Sequence, residues 1–383
     1  MEQIATAIDN REIGSTYESE EAIPQYPTRT TLYSLDPNRL GTAMVEGLSG
    51  YLADLAGEHS TRVGDLVGRV LLGIENPYGE VLPPCRRRRA ATTSHHGFTQ
   101  LNYIVNGTNR TAERMVFALE AATGRRDLRG LTFLAYEPVL RGFRFHKNRR
   151  WCPQCLTEWQ TSQQNLYEPL LWTCATTLTC PIHGCPLASN CPKCCRTAGP
   201  ITVGACIGYC DHCRAWLGGP AQPENNSSAV IGDEALWKQR QVICLIQHMP
   251  NFRPQDSMSG WPSKLRSLIE ATTNGSINAF ARHVRLDIAT IQGWLEDKWI
   301  PHVDSAMRIS LALGINLWSL VTDSPLSASE LDTARESRAK SDLQFQKRQR
   351  EAERINTELE RSLSGPVPET LATITGRLGV CRS

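Results

Sequence analysis

No uninterrupted apolar run in this sequence approaches the roughly 18 residues needed to span a bilayer, so it offers no membrane helix. The stretch Met1 to Ala22 is acidic and lacks a basic start followed by an apolar segment, so nothing there reads as a secretory signal. A cytosolic chain whose thiols stay reduced is the expectation. Also missing is any Gly-x-x-x-x-Gly-Lys-Ser/Thr phosphate loop, which assigns any ATPase activity to a partner. No histidine is followed two positions on by glutamate and no His-Glu-x-x-His occurs, which removes the general acid/base of zinc deaminases and metalloproteases. The formal charge is only +2, too small for coating nucleic acid along the whole chain, so any such contact must be local. Cysteine, at 14 of 383 residues, is too sparse for a disulfide scaffold. What cysteine there is lies together: eleven of the 14 fall between Cys152 and Cys213, which points to metal.

At about 150 residues per domain the length predicts two or three domains. Charge divides the chain, with a net −8 over residues 1–84, a net +10 over 85–150 and balance over the rest. Composition and periodicity predict a mainly α protein with two small structural zinc-ribbon or zinc-finger modules. In order come a polar tail (1–26), an N-terminal helical part with the basic block (27–150), a tandem zinc-finger segment (151–217) and a Gly/Pro/Asn/Ser linker (218–228). A helix-turn-helix domain (229–325) and a charged helix with a partial second helix-turn-helix (326–383) complete it. Leu40, Met44, Leu48, Leu52 and Leu55 fall on one face of a first helix; a second is expected over Thr61–Leu72 and a third over Thr111–Ala122, stopped by Gly124. From Ser327 to Leu363 the composition predicts a long solvated helix.

Four paired-ligand knuckles follow one another: Cys152/Cys155, Cys180/His183, Cys191/Cys194 and Cys210/Cys213. Two residues between ligands let the backbone curl so that both side chains reach one ion, and two pairs complete a tetrahedron. Neighbouring pairs give one zinc held by Cys152, Cys155, Cys180 and His183, and a second held by Cys191, Cys194, Cys210 and Cys213. Full coordination leaves no open position for water, so both ions are expected to be structural and the chain not to be an enzyme. Cys174, Cys185, Cys195 and Cys206 lie near enough in sequence to substitute, and Cys194-Cys195 carries a one-residue ambiguity.

Residues 276–321 have the apolar spacing of a phage-repressor helix-turn-helix. Phe280, Ala281 and Val284 are expected to pack its first helix, Leu286 to anchor the turn, Asp287 to cap the recognition helix, and Ile291 and Trp294 to bury it. Ala306, Ile309, Leu313, Ile315 and Leu320 continue that core. The face left for a major groove is Ile288, Ala289, Gln292, Gly293 and Glu296. Only Gln292 has a base-reading side chain and no cation precedes Lys298, so a scaffold or protein-binding role stands level with DNA reading. The basic block suits nucleic acid better: Arg86, Arg87, Arg88, Arg89, Arg125, Arg126, Arg149 and Arg150 are interleaved with Phe98, Tyr103, Phe133 and Phe143, although solvated helix faces share that composition.

The run Glu46-Gly47-Leu48-Ser49-Gly50-Tyr51-Leu52-Ala53-Asp54-Leu55-Ala56 resembles the N-terminal signature of the TniQ/TnsD target-selection proteins of heteromeric transposons, departing at Asp54, where many members carry arginine. Arg150-Trp151-Cys152-Pro153-Gln154-Cys155-Leu156, Cys180-Pro181-Ile182-His183-Gly184, Cys191-Pro192-Lys193-Cys194 and Gly208-Tyr209-Cys210-Asp211-His212-Cys213 extend the resemblance over roughly residues 27–217. It implies a protein without catalysis of its own that marks an insertion site and helps load a TnsC-type AAA+ ATPase, with target DNA as a partner and a homodimer as the assembly. Some members read an attachment site directly, as TnsD does; others dock on an RNA-guided CRISPR effector such as Cascade with its guide RNA. The segment Glu369 to Val380 looks like half of a further helix-turn-helix, and together with the weak Ile288–Glu296 face it favours the RNA-guided mode.

Overall fold

The computed structural model describes residues 29–76, 79–80, 100–101, 103–197, 199–202, 204–220, 232–252, 260–322 and 324–363. The acidic tail, the Arg86–Arg89 run, most of the expected linker and the segment 369–380 lie outside the described residues. Helices α1 (Leu48–Glu58), α2 (Val63–Arg69) and α3 (Arg110–Thr123) form the N-terminal part. The first is shorter than its leucine spacing predicts. Arg39 and Gly41 take left-handed φ values of 53° and 83°, so Leu40 and Met44 sit in turns ahead of the helix. The second gives way to a 3-10 turn at Leu71–Gly73. In α3 the Asn109 side chain accepts from the amides of Thr111 and Ala112, and Gly124 closes the helix at φ 74°, as its stop signal predicts.

Next come α4 (Pro153–Thr161) and the one-turn α5 (Leu170–Thr173), then α6 (Asp233–His248), α7 (Gly260–Thr273), α8 (Ile277–Val284), α9 (Ile288–Leu295), α10 (Val303–Leu313), α11 (Leu317–Val321) and the 36-residue α12 (Ala328–Leu363). Among the described residues the only sheet pairs two-residue strands, β1 (Gln100–Leu101) and β2 (Ile201–Thr202), antiparallel with Gln100 opposite Thr202. No described helix is long and apolar enough to cross a membrane.

One hydrophobic core runs from Leu48, Leu52 and Leu55 of α1 through Phe133 and Tyr136 to Leu245 of α6, Phe280 of α8 and Leu313 of α10, ending at Ala334 of α12. A second, smaller core gathers Trp151, Leu156, Trp159, Tyr167 and Trp172 around the cysteines. The large core is continuous across the segment between Cys213 and α6. Tyr136 donates its hydroxyl to Leu245 O at 2.6 Å, and the backbones of Arg141 and His302 form a parallel bridge through Arg141 N to Pro301 O (3.0 Å) and Val303 N to Arg141 O (2.8 Å).

The α8–α9 pair is the helix-turn-helix that the spacing predicts. Ser276 and Asp287 cap the two helices through side-chain oxygens, and Arg285 turns the chain at φ 55°. Phe280, Ala281, Val284, Ile291 and Trp294 are buried, with Trp294 edge-on to Trp261 at 5.9 Å. Gly293 is a correction to the expected reading face: it is buried, and a Cβ there would lie 2.2 Å from the ring of Trp299, which covers it. Lys298 is paired with Glu296. The α12 helix is not solvated throughout: it packs on α7 and α10, Ala334 near its start and Glu358 and Ser362 near its end are buried, and Leu343 and Phe345 between them are exposed.

The Glu46–Gly50 run owes its residue types to one crossing. Gly47 N donates to Glu168 O and Leu170 N to Val45 O, at 2.9 and 2.8 Å, so the start of α1 is pressed against residues 168–170. A Cβ on Gly47 would meet Leu170 Cα at 3.2 Å, and one on Gly50 would meet Glu168 O at 3.0 Å. Ser49 N and Oγ are satisfied by Asn106, whose Nδ2 also reaches Thr173 Oγ1.

Candidate metal centres

The first pair of cysteines is built on a helix start. Cys152 is the N-cap of α4, Pro153 occupies the first helical position where no amide is needed, and Cys155 N donates to Cys152 Sγ at 3.4 Å. The other three pairs sit on one repeated hairpin. Cys180 N, Cys191 N and Cys210 N donate to the carbonyls five residues on, Cys185, Arg196 and Ala215, at 2.8, 3.0 and 2.9 Å. The amides of Gly184, Cys195 and Arg214 return to Cys180, Cys191 and Cys210. Those three residues all take left-handed φ, 66°, 57° and 58°. The repeated turn separates Cys194, whose Sγ points into its cluster, from Cys195, which carries the left-handed φ and is exposed.

Two clusters result, each with all four donor atoms within 4.8 Å of one another: Cys152, Cys155, Cys180 and His183, and Cys191, Cys194, Cys210 and Cys213. In the first, His183 Nδ1 lies 3.4, 3.3 and 3.6 Å from the sulfurs of Cys152, Cys155 and Cys180, and the Cys155 and Cys180 sulfurs are 3.5 Å apart. In the second, Cys191 and Cys213 are 3.6 Å apart and Cys194 and Cys210 3.7 Å. A tetrahedron with metal–sulfur bonds of about 2.3 Å has edges of about 3.8 Å, so each cluster can hold one metal ion and the donor sets fit zinc.

Sequence reasoning missed the group that aims the histidine. Glu158 Oε1 lies 2.8 Å from His183 Nε2, leaving Nδ1 for metal, an arrangement that fixes both ring orientation and tautomer. Its signal was Cys155 and Glu158 at i, i+3 on α4. Of the remaining cysteines, Cys174 is buried in the large core, where its Sγ faces Leu170 O at 3.6 Å and burial pushes its thiol up to about 12. Cys206 is exposed. Cys185 is half-buried beside Cys152.

Several arginines expected to meet phosphate are engaged inside the fold. Arg149 is 4% exposed; it pairs with Glu168 at 3.2 Å and Asp211 at 3.7 Å and donates to Cys206 O and Tyr209 O, so it braces the second cluster and corrects its reading as a nucleic-acid contact. Burial opposes its charge, but the carboxylates outweigh burial and hold its pKa up. Arg125 is likewise corrected: it chelates Asp127 at 2.9 and 2.6 Å and reaches Asp36 at 2.7 Å. Arg150 donates to Leu187 O at 3.3 Å and is half-buried. Arg126 and Gln292 are exposed, and Arg86, Arg87, Arg88 and Arg89 lie outside the described residues.

Glu46, within the conspicuous run before α1, is buried; burial raises its carboxyl to about 8 against two opposing hydrogen bonds from Asn38 N and Nδ2, both 3.1 Å. Comparison with protein families matches residues 37–187 to the TniQ family, a span that includes the first metal cluster and stops before the second. No curated protein matches the chain.

Proposed function

We propose, taking as premise the TniQ domain that residues 37–187 form and the transposition-associated target selection it implies, that this chain is a non-catalytic adaptor. It joins a target-bound, RNA-guided CRISPR effector of the Cascade kind to a TnsC-type AAA+ ATPase, which then recruits the transposase. The two clusters hold one structural zinc each through Cys152, Cys155, Cys180 and His183 and through Cys191, Cys194, Cys210 and Cys213. Bound zinc supplies cross-links that replace a larger hydrophobic core, and the saturated donor sets leave no position for a reacting water.

The observation that carries the RNA-guided reading is the exposed face of α9. Ile288, Ala289, Gln292 and Glu296 offer one base-reading amide, and Lys298, just past the helix end, is paired with Glu296. Ile288 and Trp299 are 40% and 50% exposed beside it, a composition suited to a protein surface. Footprinting and co-purification test this. Retention of the purified chain only with an RNA-guided effector or the ATPase is the expected result; protection of a specific duplex by the chain alone, lost with Gln292→Ala, would establish the TnsD-like autonomous DNA reader instead.

A further inference from the structure

The first cluster has a fourth sulfur beside its three sulfur ligands and one histidine. Cys185 Sγ lies 3.6 Å from Cys152 Sγ, a separation equal to the longest of the edges, 3.3 to 3.6 Å, recorded among the four clustered donors. The hairpin does not call for a thiol there: what it uses at that position is the carbonyl that accepts from the first ligand's amide, and the two sister hairpins supply it from Arg196 and Ala215. That backbone bond holds Cys185 at the neck of its hairpin, so its sulfur is carried to the cluster by the same turn that carries Cys180 and His183.

His183 is the one nitrogen among eight donors. It is also the donor with a second partner ready, since its Nε2 faces Glu158 Oε1 at 2.8 Å and the Glu158 side chain is 62% exposed. An imidazole that leaves the metal therefore keeps a carboxylate to rest on.

We infer that Cys185 is a reserve ligand that takes the coordination position of His183 when the imidazole dissociates. The inference rests on the reading that the first cluster holds a zinc-type ion. In the exchange the metal–Nδ1 bond breaks, a metal–Sγ bond to Cys185 forms, and the thiol proton passes to Nδ1, leaving an imidazolium paired with the Glu158 carboxylate. No oxidant or further reactant takes part. The cluster thereby interconverts between three sulfurs with one nitrogen and four sulfurs, the second form preferring softer ions.

The test uses the full chain with cobalt(II) in place of the native metal, read by metal content and by the visible and charge-transfer absorption. The second cluster, all sulfur, is the internal reference. Wild type is expected to hold two ions per chain, and Cys185→Ser to match it in both count and spectrum. His183→Ala is expected still to hold two, with its spectrum moved to that of two all-sulfur sites, the spectrum that His183→Cys provides directly; His183→Ala combined with Cys185→Ser is expected to hold one. The inference is overturned if His183→Ala holds only one ion, or holds two with a spectrum that adding Cys185→Ser leaves unchanged. A wild-type count below two would instead remove the metal reading itself. If the His183→Ala chain does not fold, His183→Gln takes its place in the same comparison: two ions with an all-sulfur spectrum that Cys185→Ser abolishes support the reserve ligand, and one ion, or a spectrum that Cys185→Ser leaves unchanged, overturns it.

Discussion

The carboxamide of Gln239 grips Thr179 at three points: its Oε1 accepts from Thr179 N at 3.3 Å and from Thr179 Oγ1 at 3.1 Å, while its Nε2 donates to Thr179 O at 3.1 Å. Thr179 directly precedes the metal-ligating Cys180, and Gln239 is buried on α6. One side chain thus fastens the helical C-terminal half to the first cluster. Gln239→Ala leaves buried polar groups of Thr179 without partners and is expected to cost about 1–3 kcal/mol. Urea unfolding of the metal-loaded protein measures it. Gln239→Glu should be worse than a neutral loss because it presents a buried carboxylate to the Thr179 carbonyl.

Two glycines of α1 make an opposed pair. A Cβ on Gly50 would press on Glu168 O and Cβ at 3.0 and 3.1 Å, whereas a Cβ on Gly57 would meet nothing within 4 Å. Gly50→Ala is expected to destabilise by about 1–3 kcal/mol through overpacking against backbone. Gly57→Ala should stabilise by about 0.4–1 kcal/mol by restricting the unfolded chain. Equal effects from the two substitutions would contradict the crossing described for residues 168–170.

Glu46 makes stability depend on pH. Its folded carboxyl titrates near 8 because burial disfavours the anion, so the folded state holds a proton that the unfolded state releases near the ordinary value of 4.5. The folded chain therefore keeps its full stability from this group below that ordinary value and loses it as pH rises through about 8. The loss is on the order of several kcal/mol when complete. Between about pH 4.5 and about pH 8 the wild type is expected to weaken more steeply than Glu46→Gln, which has no proton to lose, and above that range the two should run parallel. Chemical denaturation at a series of pH values, with metal in excess, gives the comparison; parallel slopes within that range would place the charge elsewhere.

Arg149 and Arg126 separate support from contact. Arg149→Met leaves Glu168 and Asp211 as uncompensated buried carboxyls and is expected to cost about 3–5 kcal/mol in unfolding free energy. Arg126→Ala, at an exposed position, should leave stability within about 0.5 kcal/mol of wild type. If the chain binds nucleic acid through this face, Arg126→Ala lowers the salt slope of binding by about 1, and folded Arg149→Met does not.

The ligand spacing, the stop at Gly124, the cap at Asp287 and the buried faces of α8 and α9 were legible because each is a local rule: a side chain, its own backbone and a fixed offset. What escaped was set by distant chain. Leu40 and Met44 have helical spacing with Leu48, but residues 168–170 pair with residues 45–47 and impose turns before the helix can start. Arg149 sits in a basic stretch, yet its partners Glu168 and Asp211 lie 19 and 62 positions along, where no local rule looks. Gly293 reads as a groove-facing position until Trp299 folds back over it. The repeated hairpin was visible in principle, since Cys180, Cys191 and Cys210 each begin the same six-residue turn, but its left-handed position is filled by three different residue types, only one of them glycine.

The shared core has a practical consequence for anyone dividing the chain. A fragment cut to the family-matched span, residues 37–187, would lose Leu245, which receives the Tyr136 hydroxyl, and Phe252, whose ring lies tilted against that of Tyr136 at 4.7 Å. It would also lose Asp211 from beside Arg149 and every ligand of the second cluster. Such a piece exposes aromatic surface and leaves a buried cation with only one of its two carboxylates, so insolubility of the excised fragment would say nothing against the family's domain; the smallest piece with its interior covered runs on at least to Ala334.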